Sequence, residues 1–241
     1  MQIGIILQAR SNSKRFPNKV LKKIKNKTIL ELIIHRLRNI SGTKLLIATT
    51  TSKNDSKICR ISKKLDIPFY RGKIKDVLSR YYHAASKYKL KTIIRCNADC
   101  PFIDKNIIKR MLKIYKKKKY DYFSNILEPS FPSGLHVEIF NFKALSKAYH
   151  KASINSDREH VTPYIYKNKK KFLIGSFKNK KDLSFHRWTI DYLEDLRFTK
   201  TVYKEFSYKN NFKMQDIIKL LEKNPKIMKI NYHIKKRQNL L

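Results

Sequence analysis

Acidic residues are scarce in this chain. Asp and Glu number 18 against 56 Lys and Arg in 241 residues, a formal net charge of +38. A carboxylate placed directly after an apolar run is therefore more informative here than in an ordinary sequence. Cysteine is nearly absent: Cys59, Cys96 and Cys100 are odd in number, form no CxxC pair and have no His at a zinc-ligand spacing, which excludes a disulfide framework and a zinc site. No stretch reaches the ~20 apolar residues that span a bilayer, and no basic segment precedes a long apolar run at the N-terminus. The expectation is a reduced, cytoplasmic setting without a membrane. There is no Gly/Ser linker, internal repeat or sharp composition boundary. One domain over 1–241 is expected, with an accessory hairpin region at about 126–190 and a C-terminal helical segment at about 207–241.

The excess charge raises a nucleic-acid hypothesis, because phosphate neutralisation releases counterions. Yet the lysines are spread through KKIKNK, KIYKKKKY, KNKKKF and KNKKD among abundant Ile and Asn, as a bias at every exposed position rather than one binding face. No DNA- or RNA-binding motif accompanies them, and the aromatics are not set out as a stacking platform. No specific nucleic-acid partner is expected.

Strands alternate with helices in the first half. Ile3 to Leu7, LLIAT (45–49), IPFYRG and TIIRC (92–96) read as strands; TILELIIHRLRNI, SKICRISKKL and VLSRYYHAASKY read as helices, the first with a Thr28/Glu31 capping box and the last capped by Asp76. Such spacing implies parallel pairing in a doubly wound α/β sheet. YDYFSN, LHVEIF, KKFLIGSF and FHRWTID read as further strands with irregular connections, so the sheet becomes mixed. Helices follow from about Tyr192 to Phe206 and through MQDIIKLLEKN, while the tail after about Asn231 has no clear pattern.

In open α/β sheets ligands bind outside the carboxyl ends of the strands. Two loops at such ends carry opposite charge: QARSNSKRFPNK after the first strand, with Arg10, Lys14, Arg15 and Lys19 and no glycine, and NADCPFID after the fourth. A polyphosphate with a divalent metal needs both. Two readings compete for Asp99, a metal ligand or the organiser of its own turn with Cys100 and Pro101. Asp104 sits where a helix N-cap belongs. Asp191 closes RWTID and is either an N-cap paired with Glu194 or a second carboxylate facing Asp99, since Mg²⁺ is usually held by one or two carboxylates plus substrate phosphates.

The ordered motifs QARSNSKRFPNKVL, RGKIKDVLSRYYHAA, RCNADCPFID, PSGLHVEIF, SDREHVTPYI and WTIDYLEDL, and FKMQDIIKLLEKNPKIMKIN after them, resemble the cytidylyltransferase family that activates acidic sugars. More narrowly, the chain is similar to the spore coat polysaccharide biosynthesis protein F branch, related to the acylneuraminate and 3-deoxy-manno-octulosonate cytidylyltransferases. The resemblance implies a Rossmann-like mixed sheet of the nucleotide-diphospho-sugar transferase (glycosyltransferase-A) type. It implies attack of a sugar hydroxyl on the α-phosphate of CTP, giving a CMP-linked acidic sugar and pyrophosphate for surface polysaccharide, with Mg²⁺ as cofactor and a homodimer as assembly. Arg10 and Lys19 match the basic positions that hold the triphosphate, with Arg15 a third contact. Asp99 and Asp191 match the metal-binding aspartates. Asp76, Arg80 and Arg95 lie in motifs bordering the nucleotide; His136, Glu138, Arg158, Glu159 and His160 lie towards the sugar pocket.

The chain departs from the family's pattern at Asn18, commonly glycine, at Asn97, often Thr, and at His136, where GLDVE members carry Asp. Arg158 suits a carboxylate-bearing acceptor, although a solvated first helical turn after an Asp157 cap explains the same DREH residues. Tyr81, Tyr82 and Trp188 read as core or pocket wall, and His35, His83, His150, His186 and His233 receive no role. The alternatives are a transferase of the same fold using another nucleotide or a phosphorylated or non-sugar acceptor and, in a different class, a basic nucleic-acid-binding protein.

Overall fold

Apolar residues on both sides of Ile3–Gln8 make it a central strand, β1, in the computed structural model, which describes residues 2–234. After it come a small hairpin of β2 (Lys23–Ile24) and β3 (Lys27–Thr28), then α1 (Ile29–Leu37), β4 (Thr43–Thr50), α2 (Ser56–Lys64), β5 (Phe69–Gly72), α3 (Val77–Lys87) and β6 (Thr92–Asn97). The second half contains α4 (Lys105–Lys118), β7 (Tyr122–Ser124), β8 (Glu138–Asn141), α5 (Phe142–Lys151), the short α6 (Asn155–His160) and α7 (Pro163–Lys167), and β9 (Ile174–Ser176). It ends with α8 (Leu193–Glu205), α9 (Met214–Lys223) and α10 (Pro225–Tyr232).

Seven strands form one sheet in the order β5-β4-β1-β6-β8-β7-β9, and only β8 runs against the others. Side chains alternate across it. Ile3, Ile5 and Leu7 join a core with α1, α4, α8 and α9, whereas Ile6, Leu46 and Ile93 meet α3 and α5 on the opposite face. The helix starts are set by local chemistry. Thr28 Oγ1 accepts from Glu31 N–H while Glu31 Oε2 accepts from Thr28 N–H at 2.7 Å, and Asp76 Oδ1 accepts from Ser79 N–H at 2.9 Å. Asp104 is the cap of α4 and also accepts from Met214 N–H at 2.9 Å, fastening the start of α9 to it.

In the region 126–190 expected to carry an accessory hairpin, β8 pairs antiparallel with both β6 and β7, and the separate two-stranded piece is β2–β3, early in the chain. Two expectations need correction. FHRWTID does not form a strand. Its backbone is tied to different partners in turn, His186 and Trp188 to Ser133 and Ile190 to Asp99, so no continuous ladder develops. Asp157 lies inside α6, whose cap position is Ile154. The C-terminal segment resolves into α9 and α10, and its last part, 235–241, lies outside the described residues.

Arg36 on α1, 6% exposed, fastens the loop that follows β6 to the approach to α9. Its Nε donates to the Ile103 carbonyl and its Nη2 to the Phe212 carbonyl, both at 2.7 Å, and its Nη1 to Asn210 Oδ1 at 3.1 Å. Arg36→Met strands these buried acceptors and is expected to cost about 2–4 kcal/mol in urea unfolding. A loss below about 0.5 kcal/mol would show that water replaces the guanidinium.

Candidate active site

β1 continues towards β4 on one side, and β6 lies on its other side, so the strand order reverses between β1 and β6. That is the position at which open α/β sheets place their ligands. Gln8 and Asn97 are register partners at the strand ends, and Ala98 N–H donates to the Gln8 carbonyl at 2.9 Å, so the two expected loops leave the sheet side by side.

The first loop is held by Asp55, 1% exposed, which the sequence reading did not single out. Its Oδ1 accepts from the Ser11 N–H (2.7 Å) and hydroxyl (2.5 Å); its Oδ2 accepts from the Thr49 and Thr50 hydroxyls and the Thr50 N–H. Burial alone would raise this carboxyl's pKa, but the Ser11 and Thr50 hydrogen bonds outweigh it and hold the group below the ordinary value. Asn18 takes a left-handed conformation, φ 57°, which Asn tolerates in place of glycine, and a 3-10 turn starts at Lys19. Lys19 is thereby turned inwards.

Its ammonium is the meeting point of the site. Lys19 Nζ donates to Asp99 Oδ2 at 2.5 Å, to the Ile190 carbonyl at 2.8 Å and to Asp191 Oδ1 at 2.9 Å. Arg15 Nη2 reaches the same Asp191 oxygen at 2.6 Å. The two aspartate loops are joined directly as well, Ile190 N–H donating to the Asp99 carbonyl at 2.9 Å. Asp191 is not the carboxylate that caps α8. That role belongs to Asp195, rather than Glu194, and Asp195 Oδ2 accepts from the N–H groups of Asp191 and Tyr192. The side chain of Asp191 is thereby left to the cleft.

Two further guanidinium groups, Arg10 and Arg80, make no ion pair among the described residues, although Asp55 and Asp76 act on Arg80 at longer range. Arg80 is fully buried; its Nη2 donates to the Ile74 carbonyl at 3.2 Å, while Nε and Nη1 have no acceptor. Burial depresses its pKa, and the charge of Arg10 adds to the effect, so the two cations share one neighbourhood. Arg10 makes no hydrogen bond or ion pair among the described residues. Such a pair at a strand end suits an anionic ligand. Lys14 is exposed.

Several other expected site residues have structural partners. Arg95 and Glu138 face each other across β6 and β8 and form an ion pair. The remaining Glu138 oxygen accepts from the Tyr122 hydroxyl at 2.8 Å and the Thr162 hydroxyl at 2.5 Å, which places Glu138 in the sheet rather than on a substrate. Arg158 donates Nε and Nη2 to Asp76 Oδ2, at 3.0 and 2.6 Å, and Nη1 to the Tyr149 and Ala152 carbonyls. Its guanidinium thus ties α3 to the end of α5 and is not offered to an acceptor. Glu159 is exposed and His160 half-buried on the same short helix. His136 is different. Buried Asn125 accepts from Val137 N–H and donates to the Leu135 carbonyl, both at 2.8 Å, holding the backbone on either side of it. Burial depresses the His136 pKa, opposed by Glu138 and Asp99, so the ring lies within electrostatic reach of the Asp99 loop. Tyr81 and Trp188 are core residues, and half-buried Tyr82 stacks on Tyr149.

A family model described as cytidylyltransferase matches residues 4–230. The chain belongs to the cytidylyltransferase family. A cytidylyltransferase structure from Leptospira borgpetersenii is 32% identical, with a TM-score of 0.87 over 95% of this chain and 97% of that one. The spore coat polysaccharide biosynthesis protein SpsF of Bacillus subtilis is 27% identical, over 92% of this chain and 95% of its own length. CMP:2-keto-3-deoxy-manno-octonic acid synthetase complexed with CTP shares the fold at 12% identity, with a TM-score of 0.65 over 85% of this chain and 99% of that one. The protein is a CTP-using nucleotidyltransferase with the nucleotide-diphospho-sugar transferase fold, as its motifs implied. No helix among the described residues is long and apolar enough to cross a membrane.

The Lys19 centre makes stability depend on pH at both extremes. Burial alone would lower the Lys19 pKa, but Asp99 and Asp191 outweigh it and raise it. Its contribution is complete below the unfolded value of about 10.4 and fades as pH rises through the higher folded value. For Asp191, burial alone would raise the pKa; Lys19 and then Arg15 outweigh it and lower it. That contribution is complete above about pH 3.9 and fades as pH falls through the lower folded value. Urea unfolding across pH 3–11 is expected to show both losses, and Lys19→Met to remove the alkaline one and weaken the acid one. An unchanged pH profile in Lys19→Met would contradict the assignment.

Proposed function

We propose that this enzyme transfers CMP from CTP to an acidic sugar, releasing pyrophosphate, with Mg²⁺ held by Asp99 and Asp191, in the synthesis of a surface polysaccharide. The observation that carries the reading is the convergence of Asp99 and Asp191 on one cation, Lys19 Nζ, at the switch point of the sheet. Two carboxylates already directed at a common point fit a hard cation that completes its coordination with water and substrate phosphates. Among the described residues no group of three His, Cys, Asp or Glu side chains gathers, which fits that sparse donor set and not a caged metal. Bound there, Mg²⁺ would supply Lewis acidity towards the phosphate oxygens.

The chain's own residues do the rest. Nucleotidyl transfer depends mainly on positioning and on stabilising negative charge. Arg10 and Arg80 make no ion pair among the described residues and suit phosphate oxygens. Lys19 holds Asp99 and Asp191 together; were a metal to take that place between them, its ammonium would be free for the departing pyrophosphate, with Arg15 beside it. The acceptor hydroxyl attacks the α-phosphorus and gives up its proton to solvent, while the bond to the bridging oxygen breaks and pyrophosphate leaves with that bond's electron pair. A role in polysaccharide synthesis is supported by likeness to SpsF, and an acidic sugar as acceptor by the fold shared with the octonic acid synthetase. Arg158 is committed to Asp76 and is not available to the acceptor's carboxylate.

The test pairs binding with turnover. With Mg²⁺ present, CTP is expected to raise the melting temperature more than ATP, GTP or UTP. A panel of acidic sugars is expected to contain one that releases pyrophosphate, and Asp99→Asn to stay folded while losing that release by roughly 10²-fold or more. Equal stabilisation by all four nucleotides, or full turnover by Asp99→Asn, would overturn the reading.

A further inference from the structure

α10 reaches the active site through three buried side chains. Asn231, 3% exposed near its end, donates Nδ2 to two acceptors, the Arg187 carbonyl and Asp195 Oδ1, each at 2.9 Å. Asp195 is fully buried and its carboxylate accepts five hydrogen bonds. Oδ1 takes Asn231 Nδ2 and Arg187 Nε (2.8 Å); Oδ2 takes Arg187 Nη2 (2.8 Å) and the N–H groups of Asp191 (2.9 Å) and Tyr192 (3.0 Å). Arg187 Nη2 also stands 3.6 Å from Asp191 Oδ2. The backbone of Asp191 therefore rests on a carboxylate whose orientation is fixed from behind by Arg187 and by a single amide from α10.

We propose that Asn231 and Asp195 are positioning residues for Asp191, setting the direction in which its carboxylate meets Asp99 and the substrate, so that α10 belongs to the catalytic apparatus. The functional consequence rests on the reading of Asp191 as a cation ligand; the geometric claim does not. A carboxylate with five donors has little freedom to turn. Removing Asn231 leaves Oδ1 one donor short and frees the rotation that also carries the Asp191 and Tyr192 N–H groups. A purely structural tie between α10 and α8 would instead be felt equally by any α10 core residue. Ile227, buried at 8% on the same helix and outside the network, supplies that comparison.

The experiment compares wild type, Asn231→Ala and Ile227→Ala. Amide hydrogen exchange is read at Asp191 and Tyr192 in the protein alone, and Mn²⁺ affinity is read by electron paramagnetic resonance with CTP present. Asn231→Ala is expected to speed exchange at both amides and weaken Mn²⁺ binding roughly 10–100-fold, as loss of a supporting hydrogen bond does at metal sites. Ile227→Ala is expected to loosen α10 while changing neither. Equal effects of the two variants, or protected amides in Asn231→Ala, would overturn the proposal. If Asn231→Ala does not fold, Asn231→Ser takes its place. Should wild type bind no Mn²⁺ with CTP, the ligand reading of Asp191 fails, and the exchange data alone decide the positioning.

Discussion

Two carboxylates from loops 92 residues apart in the chain, Asp99 and Asp191, are held together by one lysine ammonium. Without a cation between them they would repel. Lys19 is 8% exposed, so its desolvation is offset only because two carboxylates and the Ile190 carbonyl surround it. The rest of the site is arranged around that balance. Asp55 fixes the loop that delivers Lys19, Asp195 seats the turn that carries Asp191, and the Ile190–Asp99 backbone bond joins the two turns.

The uneven charge of the chain takes on a structural meaning. Its lysines are mostly exposed, whereas Asp55, Asp104, Glu138, Asp157 and Asp195 are all buried. In a chain with only 18 acids, five buried ones are a substantial share of the supply. Asp55, Asp104, Glu138 and Asp195 act as hydrogen-bond hubs for strand ends, helix starts and buried arginines. Lys19 and Arg15 are set apart from the lysine background by where they point.

The sequence made the local and the strand-end features legible. Apolar runs located β1, β4 and β6, the Thr28/Glu31 and Asp76 caps are where the spacing placed them, and Asp99 and Asp191 do converge with Lys19. Features depending on sheet order were not legible. The Arg95–Glu138 pair exists because β8 inserts beside β6 in one particular register, and Arg158 reaches Asp76 only once α6 has packed on α3. FHRWTID had a strand's composition, yet its backbone bonds go to separate partners. Asp55 and Asp195 carry the same signal as Asp99, a rare acid close to a strand end or helix start, but their partners, Ser11 and Arg187, come from elsewhere in the fold.

In the proposed reaction the cation and triphosphate act at the point shared by Asp99, Asp191 and Lys19. A crystal structure grown with Mg²⁺ and CTP measures this most directly. Metal density is expected on both aspartates, the triphosphate among Arg10, Arg80 and Arg15, and Lys19 Nζ moved from the carboxylates to a phosphate oxygen. A bound triphosphate with Lys19 still joined to both aspartates and no metal between them would contradict it.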